Sequence, residues 1–247
     1  MIDLSIIIPA YNEEDRLGAT LSEIAAYLEP VGDHVEVIVV DDGSTDSTVA
    51  LAHGWSDRLP MQVLETPRNR GKGHAVRLGM LAATGAIRVF TDADGSTPID
   101  ELDRLIEALG AGGGSGVAFA SIAVDGATVL SPQSRLRSFA GRAGNWLIQL
   151  MILPGVADSQ RGFKVFSGDA AEYVFSQAVV DGWAFDVEAL ALARQGGYSL
   201  SEVPVRWEHR LASRVKASSY VTTLWEVWKI RRRIGRAPVC QSFVVPK

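Results

Sequence analysis

The sequence predicts an α/β fold in which helices cover a mostly parallel sheet. Three observations lead to this prediction. Apolar runs rich in β-branched residues alternate with helix-length segments through the first half of the chain. Polar clusters directly follow three of these runs. The composition of the 247 residues, 47% hydrophobic and 21% charged, suits an ordinary globular core.

Four strand and helix pairs follow one another from the N-terminus. The run "LSIIIPA" precedes a helix from about Glu13, "VEVIVV" one from about Asp46, "MQVLE" one from about Gly73, and "AIRVFT" one from about Asp100. The clusters "PAYNEE", "DDGSTD" and "DADGS" stand at the ends of the first, second and fourth strands. Because ligands of such sheets bind beyond the carboxyl ends of the strands, we expect these clusters to converge on one site.

The second half of the chain carries two amphipathic segments after the predicted strand "VAFAS". The helix predicted within "SPQSRLRSFAGRAGNWLIQLMILPG" has a single polar stripe and is too short to span a bilayer. It suits either a core position or the membrane interface. The segment "YVTTLWEVWKIRRRIGR" combines apolar and basic residues, and we expect it to contact anionic lipid headgroups.

The charge of the chain is unevenly distributed. The net charge is −5, but residues 206–247 hold ten Lys or Arg against two Glu, a net +8, which leaves −13 for residues 1–205. The C-terminal part is therefore predicted to seek an anionic surface, either nucleic acid or a membrane. We disfavour nucleic acid, since the basic segment has no recognisable reading motif and the remainder is strongly acidic.

Several classes of protein are excluded by the same composition. The single cysteine, Cys240, rules out an internal disulfide framework, and the four histidines lack metal-ligand spacing, so a zinc site is not expected. The N-terminal apolar run has no basic region before it and is predicted to be a strand, not a signal peptide. We expect a cytoplasmic protein that associates peripherally with the cytoplasmic face of a membrane.

Two aspartates one residue apart, Asp92 and Asp94, follow the fourth predicted strand. Like charges so close together repel, and a divalent cation such as Mg²⁺ between them would relieve that repulsion. An Asx-type turn that caps the helix near Asp100 explains the same residues. This stretch alone does not separate the two interpretations.

A glycine-rich basic loop follows the third strand. The sequence "RNRGKGHA" places Arg68, Arg70 and Lys72 among glycines that let a ligand approach the backbone closely. Cations in such a loop suit a polyphosphate, although an ordinary solvated basic turn has the same composition. The glycine pattern is not that of a Walker loop.

The stretch "DSQRGFK" sets Arg161 and Lys164 beside Asp158. A cluster of cations suits an anionic acceptor such as a lipid phosphate better than a neutral sugar hydroxyl. A phosphate monoester is largely ionised at neutral pH and needs little or no general base. A hydroxyl acceptor would need one, and Asp158 is then the first candidate, followed by Asp186 and Glu188, for which helix capping is the alternative role. The other cations expected around this cleft are Arg135, Arg210, Arg214 and Lys216.

Four blocks in order resemble those of the family-2 inverting glycosyltransferases, which have the GT-A fold. They are "IIIPAYNEE", "VIVVDDGSTDST", "RNRGKGHAVRLGM" and "FTDADGSTP". Further blocks, "LPGVADSQRGFKVFSGDAA", "WAFDVEALALARQGG" and "SEVPVRWEHRLASRVK", look like the branch of dolichyl-phosphate β-glucosyltransferases and mannose synthases. The resemblance implies a single domain over 1–247, with a nucleotide-sugar half (1–121), an acceptor half (122–218) and a basic amphipathic segment (219–247).

The resemblance also implies roles for individual residues. Asp41 would accept a hydrogen bond from a base N–H, and Asp92 and Asp94 would hold Mg²⁺ or Mn²⁺ against the diphosphate. Pro9, Ala10, Tyr11, Glu13, Lys72 and Ala93 would complete the donor site. The implied catalytic residues are Asp92, Asp94, Asp158, Arg161 and Lys164, and the implied acceptor contacts are Arg135, Arg161, Lys164, Arg214 and Lys216.

The implied reaction is a metal-dependent, inverting transfer of a hexose to a polyprenyl phosphate, with glucose from UDP-glucose favoured. Three alternatives stay open: GDP-mannose as donor, a hydroxyl acceptor, and a non-catalytic nucleotide-sugar-binding module. The expected partners are the nucleotide sugar, the lipid phosphate and the membrane surface, with no nucleic acid. A homodimer or a membrane-protein partner is left open as well.

Overall fold

The structure is a computed structural model that describes residues 2–30, 32, 34–130, 135–208 and 217–235, except the side chains of 135–140, 142, 143 and 217–221. The strands are β1 (Leu4–Ala10), β2 (Val35–Asp41), β3 (Met61–Glu65), β4 (Ile87–Thr91), β5 (Gly116–Ser121), β6 (Thr128–Val129), β7 (Phe163–Ser167), β8 (Ser199–Pro204) and β9 (Arg206–Trp207). The helices are α1 (Leu17–Leu28), α2 (Thr48–His53), α3 (Lys72–Ala82), α4 (Leu102–Ala111), α5 (Arg135–Met151), α6 (Gly168–Gln177), α7 (Phe185–Gln195) and α8 (Ala217–Ile234).

Seven of the described strands form one sheet in the order β3-β2-β1-β4-β7-β5-β8. All neighbours in this sheet are parallel except β7, which runs antiparallel to both β4 and β5. The predicted mostly parallel α/β fold is therefore confirmed. Because β7 is reversed, the loop before it lies at the sheet edge where β1, β2 and β4 end. That reversal brings "DSQRG" next to the two aspartates of "DAD".

Both faces of the sheet are buried, as expected of a largely parallel sheet. Successive side chains of a strand point to opposite faces. Ile6 and Ile8 accordingly pack with residues of α1 and α4, while Ile7 packs with residues of α3, α6 and α7 on the other face. The site residues after β1, β2 and β4 thus stand on a backbone that is held from both sides.

The first helix begins later than predicted. The sequence places its start near Glu13, but α1 begins at Leu17. Asn12 has a φ of 54°, in the left-handed region, and the backbone N–H of Glu13 donates to Thr48 Oγ1 at 2.7 Å. The chain therefore makes a turn fastened to the first residue of α2 before α1 can start.

Helices α5 and α8 lie against the same face of the sheet as α7. Ile148 and Ile152 of α5 join the core there, as do Val227 and Ile230 of α8. Other side chains of the same helices are exposed: Trp146, Leu150, Leu224, Trp225 and Trp228. Helix α5 thus has a core face and, opposite it, exposed apolar side chains; its contact with a membrane interface stays a prediction. Within the described part of the chain, no helix has the length and apolarity needed to cross a bilayer.

Candidate active site

Three polar loops meet at the carboxyl edge of the sheet, as predicted. Several hydrogen bonds join the loops after β1 and β2, among them those from Asn12 N–H to Ser44 Oγ and from Thr45 N–H to Asn12 Oδ1, each 2.8 Å long. The loop after β4 is tied to α1 by Thr20 Oγ1, which donates to the carbonyl of Ala93 at 2.8 Å. Ala93, one of the residues expected in the donor site, therefore anchors the loop after β4 to α1 through its backbone carbonyl.

Asp41 presents a buried oxygen to this site. Its Oδ2 accepts backbone hydrogen bonds from Gly43 at 3.0 Å and Ser44 at 2.9 Å. Its Oδ1 is buried and has no hydrogen-bond partner among the described residues. An unsatisfied buried acceptor costs free energy, which a ligand N–H at that place would recover. This geometry agrees with the role of base acceptor implied by the resemblance.

The neighbouring aspartate, Asp42, holds the basic loop in place. Its carboxylate accepts backbone hydrogen bonds from Arg70 at 3.0 Å and from Gly71 at 2.7 Å. The loop that precedes α3 is thereby fastened to the end of β2. Asp42 is not among the residues predicted for the site from the sequence, although the doubled aspartate of "VVDDGS" is a signal for it.

The residues after β1 form one side of the site. Ala10 is paired in register with Asp41, and Tyr11 has an exposed side chain. Glu13 binds Arg16 through two hydrogen bonds of 2.7 and 2.6 Å. Arg16 in turn lies 3.6 Å from Asp94 Oδ2. Glu13 therefore orients an arginine toward the aspartate pair.

At the aspartate pair, the structure shows the Asx turn considered from the sequence, and metal binding by the pair stays a prediction. Asp94 Oδ1 accepts the backbone N–H of Ser96 at 3.0 Å, which is an Asx turn. Asp92 hydrogen bonds through Oδ1 to the ammonium of Lys72. The side chains of Asp92 and Asp94 are 35% and 25% exposed, so both carboxylates remain accessible. The turn shapes the loop without burying the pair.

Gly162 explains how Asp92 fits beside the loop that precedes β7. The backbone N–H of Asp92 donates to the Gly162 carbonyl at 3.0 Å. A Cβ at position 162 would overlap the Asp92 carboxylate, so only glycine leaves room for it. This glycine belongs to "DSQRGFK" but is not among the residues predicted for the site from the sequence.

The pair and its surroundings fit a divalent metal of the hard, oxygen-binding kind. Mg²⁺ is commonly held by one or two carboxylates together with phosphate oxygens and water. No group of three or more His, Cys, Asp or Glu ligands gathers within the described ranges. A metal at Asp92 and Asp94 would therefore take its remaining ligands from a bound diphosphate and from water.

Lys72 is the cation closest to this pair. Burial lowers the pKa of Lys72, but the charges of Asp92, Asp186 and Asp94 and the hydrogen bond to Asp92 outweigh it, so that the pKa is raised. The ammonium also lies 5.7 Å from the centre of the Phe185 ring. Lys72 is therefore charged at neutral pH and lies against one of the two aspartates expected to hold a metal.

On the acceptor side, Asp158 is engaged by Arg161. Asp158 is 1% exposed, and its Oδ2 accepts a hydrogen bond of 2.9 Å from Arg161 Nε. The guanidinium lies 5.1 Å from the centre of the Trp207 ring. Glu202 accepts the backbone N–H groups of residues 157 and 158, and burial raises its pKa. Asp158 is therefore buried and already ion-paired through Oδ2, which does not favour a role as general base.

Lys164 requires a correction to the sequence analysis. Its side chain is fully buried, and its ammonium donates to Asp186 Oδ1 and to the Arg161 carbonyl, both at 2.5 Å. Burial lowers the pKa of Lys164 and raises that of Asp186. The ammonium therefore cannot contact an acceptor directly. It supports the backbone of Arg161 instead.

The remaining candidates fall into two groups. Asp186 and Glu188 support the fold: Asp186 binds Lys164, and Glu188 accepts the backbone N–H groups of Val179 and Val180. The side chain of Arg135 and all of Arg210, Arg214 and Lys216 lie outside the described residues.

Comparison with known proteins gives consistent results. The profile of the family described as Glycosyl transferase family 2 matches residues 5–175. Dolichyl-phosphate beta-glucosyltransferase of Drosophila melanogaster is 40% identical over 218 residues, which cover 83% of this chain and 67% of the relative. The protein of the same name from Homo sapiens is 33% identical over 217 residues, with the same coverage.

Solved structures show the same fold. The crystal structure of M. tuberculosis glucosyl-3-phosphoglycerate synthase superposes with a TM-score of 0.68 at 21% identity and covers 96% of this chain and 82% of that chain. Its complex with Mn²⁺, uridine diphosphate and phosphoglyceric acid has a TM-score of 0.68, also at 21% identity, and covers 96% of this chain and 80% of that chain. At this level of identity the likeness demonstrates the fold alone.

Proposed function

Since the chain belongs to glycosyl transferase family 2, we propose that it transfers glucose from UDP-glucose to a polyprenyl phosphate in the presence of a divalent metal. The observation that carries this proposal is the arrangement of carboxylates at the sheet edge. A buried acceptor oxygen of Asp41 lies at the end of β2, and the accessible pair Asp92 and Asp94 lies after β4. The first suits a nucleobase and the second a metal-bound diphosphate.

The choice of glucose and of a prenyl phosphate rests on the curated relatives. Their names give dolichyl phosphate as the acceptor and glucose as the sugar. Uridine fits the donor site because its base carries one ring N–H, for which Asp41 Oδ1 is an acceptor. The uridine diphosphate bound by a structural neighbour supports the same base.

The metal would be held by Asp92 and Asp94, whose oxygens are of the type that Mg²⁺ and Mn²⁺ prefer. When bound, it would stabilise the negative charge that develops on the departing diphosphate. Lys72 supplies a second positive charge to the same group, from the start of α3. Arg16, oriented by Glu13, supplies a third next to Asp94.

On the acceptor side, we assign Arg161 to the prenyl phosphate. Asp158 and the face of Trp207 fix its guanidinium, and Lys164 fixes its carbonyl. A phosphate monoester is largely ionised at neutral pH, with a second pKa of about 6, so its oxygen needs no general base. The buried and engaged state of Asp158 agrees with a reaction that does not use it as one.

The proposed step is a single displacement. A phosphate oxygen of the lipid forms a bond to the anomeric carbon as the bond from that carbon to the UDP oxygen breaks on the opposite face. The configuration inverts, UDP leaves with the bonding electron pair, and no covalent enzyme intermediate forms.

We place this reaction at the cytoplasmic face of a membrane, where the protein would bind peripherally. Trp225 and Trp228 of α8 are exposed and stacked, with ring centres 4.8 Å apart. Lys229 lies over the first ring at 5.4 Å and Arg232 over the second at 4.9 Å. Aromatic rings topped by cations suit the headgroup region of an anionic bilayer.

The test is a transfer assay with radiolabelled UDP-glucose or GDP-mannose and a short prenyl phosphate. We expect label from UDP-glucose in the organic phase with Mg²⁺ or Mn²⁺, and none with EDTA. Asp92→Asn should reduce transfer at least 100-fold, a loss of about 3 kcal/mol of transition-state stabilisation. Asp57→Asn, at an exposed position, is the matched control.

Other results would favour the alternatives. Label from GDP-mannose would make the protein a mannose synthase. Label in a water-soluble product, lost in Asp158→Asn, would indicate a hydroxyl acceptor. Metal-dependent binding of the donor without any turnover would indicate a non-catalytic module.

A further inference from the structure

We propose that Lys72 occupies the metal-facing side of Asp92 while the donor is absent, so that metal binds tightly only together with the diphosphate. This inference deepens the proposed donor site and rests on it. Lys72 would act as a positioning residue with two partners in turn, first the Asp92 carboxylate and then the diphosphate.

The starting observation is the ion pair itself. The Lys72 ammonium hydrogen bonds to Asp92 Oδ1, one of the oxygens assigned to the metal. The two side chains are 19% and 35% exposed, so the pair is shielded from solvent only in part. An ammonium at hydrogen-bond distance satisfies and neutralises the carboxylate, and a divalent cation approaching the same oxygen would be repelled by it.

Three carboxylates act on Lys72 by their charge, those of Asp92, Asp186 and Asp94, and Asp92 is the one that accepts its hydrogen bond. Oδ1 of Asp186 is already bound by the buried ammonium of Lys164. Asp94 has its own contacts, with Ser96 N–H and with Arg16.

The backbone around Lys72 is fixed, so only its side chain can exchange partners. The N–H of Gly73 donates to the Asp181 carbonyl at 2.8 Å. A Cβ on Gly71 or Gly73 would overlap the backbone of Asp181 or Val180, which shows how closely the start of α3 packs there. A lysine stem on so rigid a base can swing between two nearby anions without moving the helix.

Asp92 is equally restricted. Its carboxylate rests against Gly162, and its N–H is held by the carbonyl of that residue. Its Oδ1 holds Lys72, so a metal ion that approaches this carboxylate meets the ammonium at close range. An arriving diphosphate offers the ammonium a new anionic partner and frees Oδ1 for the metal.

Metal and nucleotide are therefore expected to bind with positive coupling, part of which depends on Lys72. In Lys72→Met the competing cation is gone. We expect Mn²⁺ alone to bind this variant at least about fivefold more tightly than the wild type, the lower end of typical coupling between sites. With UDP present the advantage should vanish, because Lys72 then stabilises the complex in the wild type.

The experiment measures Mn²⁺ affinity by electron paramagnetic resonance of the free ion, with and without UDP, in the full chain. Lys72→Gln is a second neutral variant in case Lys72→Met folds poorly, and Lys72→Arg should stay close to the wild type. Arg58→Met, which removes a positive charge from an exposed position between α2 and β3, controls for net charge. The double variant Asp92→Asn with Lys72→Met should lose the gain.

Unchanged or weaker Mn²⁺ binding by both neutral variants in the absence of UDP would overturn the proposal, and so would a gain that persists when Asp92 is also replaced. No acceptor or sugar enters this measurement. A failure of glucosyl transfer would therefore contradict the proposed function and leave the role of Lys72 standing.

Discussion

At the scale of single residues, Asp41 shows how one carboxylate can serve both the fold and a ligand. One of its oxygens shapes the turn after β2 by accepting two backbone N–H groups, at Gly43 and Ser44. The other is buried without a partner in the described part of the chain. Because backbone N–H groups hold Oδ2 in place, Oδ1 points in a defined direction.

Replacing Asp41 by Asn should weaken UDP binding about 10- to 100-fold, because a buried hydrogen bond to a charged group contributes about 1.5–3 kcal/mol. The amide of Asn has one acceptor oxygen, so either the turn or the ligand would face an NH₂ group instead. Isothermal titration with UDP and Mn²⁺ measures the loss, with Asp57→Asn as the control. Equal affinities of Asp41→Asn and wild type would exclude Asp41 as the base acceptor.

At the scale of secondary structure, Glu36 joins the amino ends of strands β1, β2 and β4. Its Oε1 accepts Ser5 Oγ at 2.6 Å, the Thr84 N–H at 2.6 Å and Thr84 Oγ1 at 2.9 Å. Burial raises the pKa of Glu36, but these hydrogen bonds outweigh it and the pKa is lowered. Ser5 belongs to β1, Glu36 to β2, and Thr84 to the connection into β4, so the carboxylate fixes the edge opposite the site.

Glu36→Gln should lower the free energy of unfolding at pH 7 by about 1 kcal/mol, because Gln keeps an acceptor oxygen but loses the charge. A depressed folded-state pKa stabilises the fold above the unfolded pKa, and this stabilisation is lost as the pH falls through the folded-state pKa. The difference between variant and wild type should therefore shrink in acid.

Urea unfolding across that pH range measures this difference, with Glu107→Gln on the exposed side of α4 as the control. A difference that stays constant from pH 7 into acid would mean that the charge of Glu36 does not contribute to stability.

At the scale of the whole molecule, hydrogen bonds join helix α8, which carries the exposed tryptophans, to helices α5 and α7. Glu226 of α8 accepts the backbone N–H of Ala184 at 2.9 Å, where α7 begins. Arg231 of α8 donates to the Met151 carbonyl at the end of α5 at 2.8 Å. Helix α8 is thus bonded to α5 and α7 on its inner side while its tryptophans point outward. In the proposed peripheral binding through α8, these hydrogen bonds would hold the sheet edge with Asp41, Asp92 and Asp94 at a set distance from the membrane.

The double replacement Trp225→Ala with Trp228→Ala should reduce binding to vesicles rich in anionic lipid at least tenfold, since two partly exposed rings lose their contact with the headgroup region. Added salt should weaken binding of the wild type, because Lys229 and Arg232 contribute by charge. Co-sedimentation measures both effects. Leu81→Ala removes an exposed apolar side chain from α3 as the control. Vesicle retention equal to that of the wild type would show that α8 is not the contact surface.

Much of the fold and the core of the site could be predicted from the sequence because they depend on local patterns. Apolar runs of strand length predicted the parallel strands β1 to β4. The end of a parallel strand is where a ligand binds, so the order of the blocks predicted the convergence of Asp41, Asp92 and Asp94. The first helix begins later than predicted because the chain after the left-handed residue Asn12 is held at Glu13 by the side chain of Thr48, which belongs to α2.

What the sequence by itself determined is the type of each group: the strands, the paired aspartates, the basic loops and the family. What only the tertiary structure decided is which charges meet. Lys164 of "DSQRGFK" was expected to contact the acceptor, but antiparallel β7 turns it into the interior against Asp186. Lys72 and Asp92 are 20 residues apart in the chain and become an ion pair. Electrostatic partners depend on distance in space, and for residues far apart in sequence that distance is fixed only when the sheet is assembled.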